Sequence, residues 1–264
     1  MLLSRLSRPK ALAVCAVPVV ALLGVAVFAP LPFAVAEPGP TTNVLGDSKG
    51  KPVIEISGAP TRDTSGKLRM VTIVATGPDS DVSLGDVVDS WFRTDRAVMP
   101  RDAVYPTGNT SKEIEQHNLG EMKKSQDSAT AAALGYLGKN PAEVKVNLQL
   151  GDVGGPSAGL FFSLGIVDKL DGNGSGGDLT GGRSIAGTGT ITPDGTVGAV
   201  GGVSLKTQAA WRDGAKVFLV PKAECSDATA ESPKGLRLIP VTTLKGAVTA
   251  LNSLNTGKGT VPSC

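Results

Sequence analysis

The chain has 264 residues, 41% apolar and 19% charged, enough for one sizeable domain or two small ones. Its 34 glycines carry no Gly-X-Y period, 26 Lys and Arg nearly balance 24 Asp and Glu, and aromatics reach only 4%. Collagen, an electrostatic nucleic-acid binder and a base-stacking platform are thereby excluded, and a single histidine with three cysteines leaves neither an HExxH site nor a four-cysteine zinc cage.

The elements are taken in chain order. Arg5, Arg8 and Lys10 precede an uncharged stretch from Ala11 to Ala36, whose most apolar part, Ala11 to Ala29, is long enough to cross a bilayer as a helix. Positive charge before the span predicts a cytoplasmic N-terminus and an extracytoplasmic remainder, a single-pass cell-membrane protein. Ala34-Val35-Ala36 also reads as a signal-peptidase site, so a protein secreted after cleavage behind Ala36 is the rival reading. The length of the apolar core, with Pro30 and Pro32 directly after it, favours the retained anchor. Those three basic residues are the only charges in residues 1–36, so the high overall pI belongs to the tail and describes no basic binding face. No nucleic-acid partner is expected.

Residues 37–50, rich in Pro, Gly, Thr and Asn, read as a linker. Val53–Ser57 and Leu68–Thr76 alternate as strands, with 61–67 as the turn of a hairpin between them. Ser83–Phe92 reads as a short amphipathic helix and Thr110–Leu137 as a long one. Val144–Leu150 is a strand, followed by a glycine turn and a helix over Ser157–Leu170, then a flexible loop at 171–177. Strands are expected over Ile185–Thr192, Lys216–Val220 and Leu236–Val241, a hairpin turn at Pro193-Asp194-Gly195, and helices over Val203–Asp213 and Thr243–Leu254. The fold class is mixed α/β (α+β). The chain divides into a transmembrane anchor or signal segment (1–36), a linker and N-terminal part (37–143), and a core with C-terminal tail (144–264).

An extracytoplasmic location makes the cysteines a disulfide question. Cys15 lies in the apolar span, so Cys225 and Cys264 are the external pair; a bridge between them would pin the C-terminus, the alternative being two free thiols.

A strand, glycine turn and helix place Ser157 at a helix N-terminus, where free N–H groups are available to an oxyanion. Gly155, Ala158 and Gly159 around it are small enough for a substrate backbone to come close. Alone, a serine after a proline is usually a first-turn residue. A serine nucleophile needs a base. His117, in the polar segment EIEQHN, reads as a solvated surface residue. Lys206 in GGVSLKTQAAW is the other base available, since burial lowers a lysine's pKa, although a helical lysine taken alone usually faces solvent.

The run GGPSAGLFFSLGIVDKL, followed by DLTGGRSIAGTGTITPDGTVGAVGGVSLKTQAAWRDGAKVFLVP, resembles the proteolytic domain of the Lon family of serine proteases over about residues 144–254. The resemblance implies that Ser157 is the nucleophile, Lys206 the general base, and Thr188 the residue that hydrogen-bonds the lysine. It requires no metal or other cofactor. The segments after the apolar span, Met99–Pro106 and Met122–Leu134 resemble membrane-anchored, extracytoplasmic Lon-like proteins of bacteria. Those relatives usually carry a PDZ domain before the protease strand, and only Gly135–Glu143 bridges that position here. No GxxxxGK[ST] phosphate loop occurs in the chain, and Gly154 stands where ATP-dependent relatives often have an acidic residue. The resemblance therefore implies an ATP-independent endopeptidase acting on unfolded or flexible extracytoplasmic proteins, with assembly into homo-oligomers as an open partner question. A Lon-fold binding or scaffold module with little proteolysis is the alternative.

Overall fold

The structure is a computed structural model that describes residues 7–105, 110–150 and 155–264. Arg5, Pro106 and the glycine turn at 151–154, Gly154 included, lie outside the described residues. The chain opens with α1 (Arg8–Phe28), β1 (Phe33–Asn43), the short β2 (Asp47–Ser48) and β3 (Lys51–Pro52), β4 (Ile54–Ser57) and β5 (Lys67–Ala75). Next come α2 (Leu84–Trp91), β6 (Ala97–Pro100), α3 (Arg101–Val104), α4 (Ser111–Tyr136), β7 (Lys145–Leu148), a 3-10 turn (Pro156–Ala158) and α5 (Gly159–Leu170). The chain then forms β8 (Ser184–Gly187), β9 (Thr190–Ile191), β10 (Val197–Gly198), α6 (Val203–Arg212) and β11 (Val217–Pro221). It closes with a 3-10 turn (Lys222–Glu224), α7 (Cys225–Ala230), β12 (Arg237–Val241) and α8 (Leu244–Thr256).

Two compact units result, one of residues 1–36 and 75–106, the other of 37–74 and 107–264. In the first, the start of β1 pairs antiparallel with β6, from Phe33 opposite Pro100 to Ala36 opposite Ala97. Ala34, Val35 and Ala36 are buried there. Leu31 forms an isolated bridge to Val82, just before α2, which opens with a capping box between Ser83 and Asp86. Among the described residues, α1 is the one helix long and apolar enough to cross a membrane.

The second unit is built on a sheet ordered β12-β11-β8-β5-β1, with β5, β8, β11 and β12 parallel. Both faces are covered, as parallel strands require. Ile185, Leu219 and Ile239 point into a large core with Phe161, Phe162 and Leu164 of α5 and Leu244, Val248 and Leu251 of α8. Their neighbours Ala186, Phe218, Val220 and Leu238 point the other way, into a core with Val203, Ala209 and Ala210 of α6 and Ala228 of α7. Helix α5 is buried over nearly its whole length, and α4 supports it: Ser163 Oγ donates to the carbonyls of Ala129 and Gly159.

Four expectations are corrected. The 53–57 and 68–76 strands do not form a hairpin: β4 pairs with β7, while β5 lies between β8 and β1. Alternating patterns fix which face of a strand is apolar, but not which neighbour it takes. The 37–50 segment is not simply a linker, because β1 runs to Asn43. Pro38 and Pro40, which cannot donate to a ladder, fall just past the residues paired with β6. The 185–192 strand is broken at Thr188-Gly189 into β8 and β9. The 171–177 loop is hydrogen-bonded: Arg62 Nη2 donates to Gly176 O (2.9 Å), and Asn173 Oδ1 accepts the N–H groups of Ser175 and Gly177, each at 2.9 Å.

Candidate active site

Three pieces of the second unit converge. The first is the turn into α5. Gly155 has φ +98°, in the left-handed region that favours glycine, and an added Cβ would meet nothing, so the backbone conformation alone calls for glycine there. Its N–H donates to Asn118 O at 3.3 Å, and Ser125 Oγ donates to Pro156 O at 2.9 Å, so α4 holds this turn from outside. Ser157 sits half-buried in the 3-10 turn rather than in the first turn of the α-helix.

The second piece is the break between β8 and β9. There the chain leaves the sheet after Gly187 while Thr188 N–H still bonds Leu219 O at 3.1 Å. Thr188 Oγ1 donates to Ser157 O at 3.2 Å, and Gly189 N–H bonds the same carbonyl at 2.9 Å. Leu160 N–H in turn bonds Gly189 O at 3.1 Å, locking the break onto the start of α5.

The third is the start of α6. Gly202, in the left-handed conformation, caps it, and Lys206 lies one turn on, only 3% exposed. Lys206 Nζ donates to Thr188 Oγ1 at 3.1 Å. Burial pushes the ammonium down to about 8, with the Glu224 carboxylate opposing that fall.

The structure thus brings Lys206, Thr188 and the Ser157 main chain together in one hydrogen-bonded line. It does not join Lys206 to the Ser157 hydroxyl: among the described residues no hydrogen bond links those side chains. The N–H groups of Gly155 and Gly159 are taken within the protein, by Asn118 O and Pro156 O. An added Cβ on Gly159 would press on Ile191 and Ser125. Ala158 is buried behind the serine, and His117 lies exposed on α4. Among the described residues no cluster of His, Cys, Asp and Glu can hold a metal ion.

Sequence reasoning missed two residues. Ser125 holds the serine turn. Glu224 receives the Val200 N–H at 2.8 Å through Oε1, while its Oε2 is buried without a hydrogen bond. Burial pushes the Glu224 carboxyl up, opposed by the Val200 N–H and the Lys206 charge. Neither carries a local signal, since Ser125 acts on a carbonyl 31 positions away and Glu224 on a lysine 18 positions away, gaps that only folding closes. Directly beside Glu224, Cys225 is bridged to Cys264, with Cα atoms 5.3 Å apart.

Comparison with known proteins identifies the family. The family model of the Lon protease (S16) C-terminal proteolytic domain matches residues 116–251. Lon protease 2 of Herpetosiphon aurantiacus is 27% identical over 75% of this chain and 22% of its own length. Lon protease of Mesomycoplasma hyopneumoniae is 26% identical over 52% of the chain and 18% of its own, and Lon protease 1 of Myxococcus xanthus 29% over 56% and 18%. The chain therefore spans about a fifth of the length of these relatives. A matched region covering more than half of the chain, centred on the buried lysine, threonine and serine turn, places this protein in the Lon protease (S16) family.

Proposed function

We propose that this protein is a serine endopeptidase in which Ser157 is the nucleophile, Lys206 the general base and Thr188 the residue that orients the lysine. The observation that carries the reading is the burial of Lys206 with Thr188 as its hydrogen-bond partner, and of Thr188 against the Ser157 carbonyl. A lysine at about 8 is partly neutral near pH 7 to 8 and can accept a proton, which an exposed ammonium near 10.4 does only rarely.

Neutral Lys206 takes the hydroxyl proton of Ser157 as the oxygen attacks a peptide carbonyl, and backbone N–H groups at the serine turn hold the resulting oxyanion. The protonated lysine gives its proton to the departing amine. Water, deprotonated by the same lysine, attacks the acyl carbonyl, and the lysine returns that proton to the departing Ser157 oxygen. Thr188 keeps the amine aimed through both halves while its own hydroxyl goes on donating to the Ser157 carbonyl.

The remainder of the reading concerns place and energy. No phosphate-loop motif occurs in the sequence, so hydrolysis is taken as ATP-independent and its substrates as unfolded or flexible segments. The length of α1 and the basic residues at its N-terminal end support a single-pass anchor with the peptidase outside the cytoplasm. Burial of Ala34, Val35 and Ala36 in β1 supports retention of the anchor, since cleavage after Ala36 would remove the strand residues that pair with β6. The N-terminal sequence of the mature protein tests this: a start at Glu37 overturns it.

The activity is tested by incubating an unfolded protein with the full chain in detergent, without ATP, beside Ser157→Ala. Cleavage by the native chain alone is the expected outcome. Cleavage by neither would favour a binding or scaffold module, and equal cleavage by both would reject Ser157 as nucleophile.

A further inference from the structure

The first unit carries an apolar face with no protein against it. Leu84, Val88 and Trp91 recur one turn apart on α2, and Phe92 follows at its end; they are 38%, 49%, 80% and 84% exposed. The opposite side of the helix is the packed one, with Ser90 buried and its hydroxyl donating to Asp86 O. Two adjacent aromatic side chains left this open are costly in water, where large apolar rings favour burial.

The position of α2 says what covers it. Helix α1 has 21 residues, about 32 Å of rise, the thickness of a bilayer's hydrocarbon core. Leu31, three residues beyond the end of α1, donates its N–H to Val82 O at 2.8 Å, and α2 begins two residues after Val82. Arg101 N–H bonds Pro32 O and Arg101 Nη2 bonds Ser80 O, fixing the same junction a second time. Helix α2 is eight residues, about 12 Å, and it lies against α1. Its far end therefore stays within about 12 Å of the end tied to α1, and a helix lying in the membrane plane there keeps all four side chains at the depth of the headgroup layer. Tryptophan is enriched at that depth, its ring in the acyl boundary and its N–H among headgroups.

We propose that α2 is an interfacial foot, lying on the membrane that α1 spans with Leu84, Val88, Trp91 and Phe92 in the acyl–headgroup boundary. The partner is a lipid surface recognised by apolar insertion rather than by charge. Asp86 and Asp89 stand on the same helix, and the nearby arginines are engaged in ion pairs, Arg93 with Asp95 and Arg96 with Asp89. An anionic headgroup is therefore not required. The inference rests on the anchor reading of α1, and the foot would limit how far the first unit tilts about its single span.

The test uses the full chain reconstituted in phosphatidylcholine vesicles, beside Trp91→Phe. Trp211 is the other tryptophan, so the difference emission between the two proteins isolates Trp91. The expected result is a blue-shifted difference spectrum, quenched about twofold or more by phosphatidylcholine brominated near the headgroup and unchanged by salt. A difference spectrum at the water maximum that aqueous iodide quenches overturns the proposal. So does one shielded from both quenchers, which would mean that protein, such as a second copy, covers the face. Cys15, the free cysteine within α1, reports the anchor separately through its reaction with an impermeant maleimide. An unreactive Cys15 with Trp91 in water means the foot fails while the anchor stands, and a reactive Cys15 means the anchor reading itself has failed.

Discussion

Lys206 is the residue on which the proposed chemistry turns, and its burial has consequences of opposite sign for activity and stability. Burial holds the ammonium at about 8, so the neutral base is lost as pH falls below that value. kcat/KM is expected to drop about tenfold per unit on the acid side and to level off above about 9, measured with a peptide substrate at fixed ionic strength. Glu224 opposes the burial effect, so Glu224→Gln should move that acid limb to lower pH; a limb that stays in place would remove Glu224 from the electrostatics of the site. For stability, the unfolded chain binds the lysine proton up to the ordinary value and the folded chain only up to about 8. Burial of the charge is therefore a full cost below pH 8 that fades as pH rises toward 10.5. Lys206→Met should abolish cleavage yet raise the urea midpoint at pH 7 by an amount worth roughly 1–3 kcal/mol, with little gain at pH 10. Thr188→Val, which takes the partner from the lysine and one of the two donors from the Ser157 carbonyl, should lower kcat with KM nearly unchanged, about 10- to 100-fold.

At the scale of elements, the site depends on two departures from regular structure. Strand β8 stops at Gly187, and the Thr188-Gly189 step turns toward the serine turn instead of continuing into β9. The alternating pattern of SIAGTGTIT reads as one strand because every residue in it is small or β-branched, and nothing local marks the break. Helix α5 starts late, leaving Ser157 in a 3-10 turn held by Ser125 of α4. Gly159 permits that close approach. In Gly159→Ala the added methyl meets Ile191 and Ser125, so a loss of about 1–3 kcal/mol with a matching fall in kcat is expected, checked by denaturant unfolding beside steady-state kinetics. The helices themselves were legible from periodicity: α4, α6 and α8 fall within a few residues of their expected bounds. Pairing was not legible, as β4 with β7 and β5 with β8 show, because each partner lies more than eighty residues away.

For the whole molecule, the Cys225–Cys264 bridge closes a loop of 39 residues from α7 to the C-terminus. On chain-entropy grounds such a loop is worth about 4 kcal/mol. Cys264→Ser should lower stability by up to that amount, read from unfolding curves under non-reducing conditions, and the bridge also predicts that Cys15 is the single thiol titrated in the unfolded, unreduced chain. Because α7 begins beside Glu224, the same variant should move the acid limb of kcat/KM in the direction of Glu224→Gln if the bridge helps hold that carboxylate.

Local order carried the apolar N-terminal helix, the amphipathic helices and the strands with clean alternation, because propensity, capping and period act over a few neighbouring residues. The motifs around Ser157, Thr188 and Lys206 carried the family, since close backbone turns restrict residue type at each position. Folding alone determined that Thr188 bonds the Ser157 carbonyl as well as the lysine, that Glu224 acts on Lys206, that the 37–50 segment enters a sheet, and that α2 turns aromatic rings away from its own unit. Those outcomes depend on burial and on contacts between distant segments, and a linear pattern records neither the depth of a side chain nor the charge brought beside it.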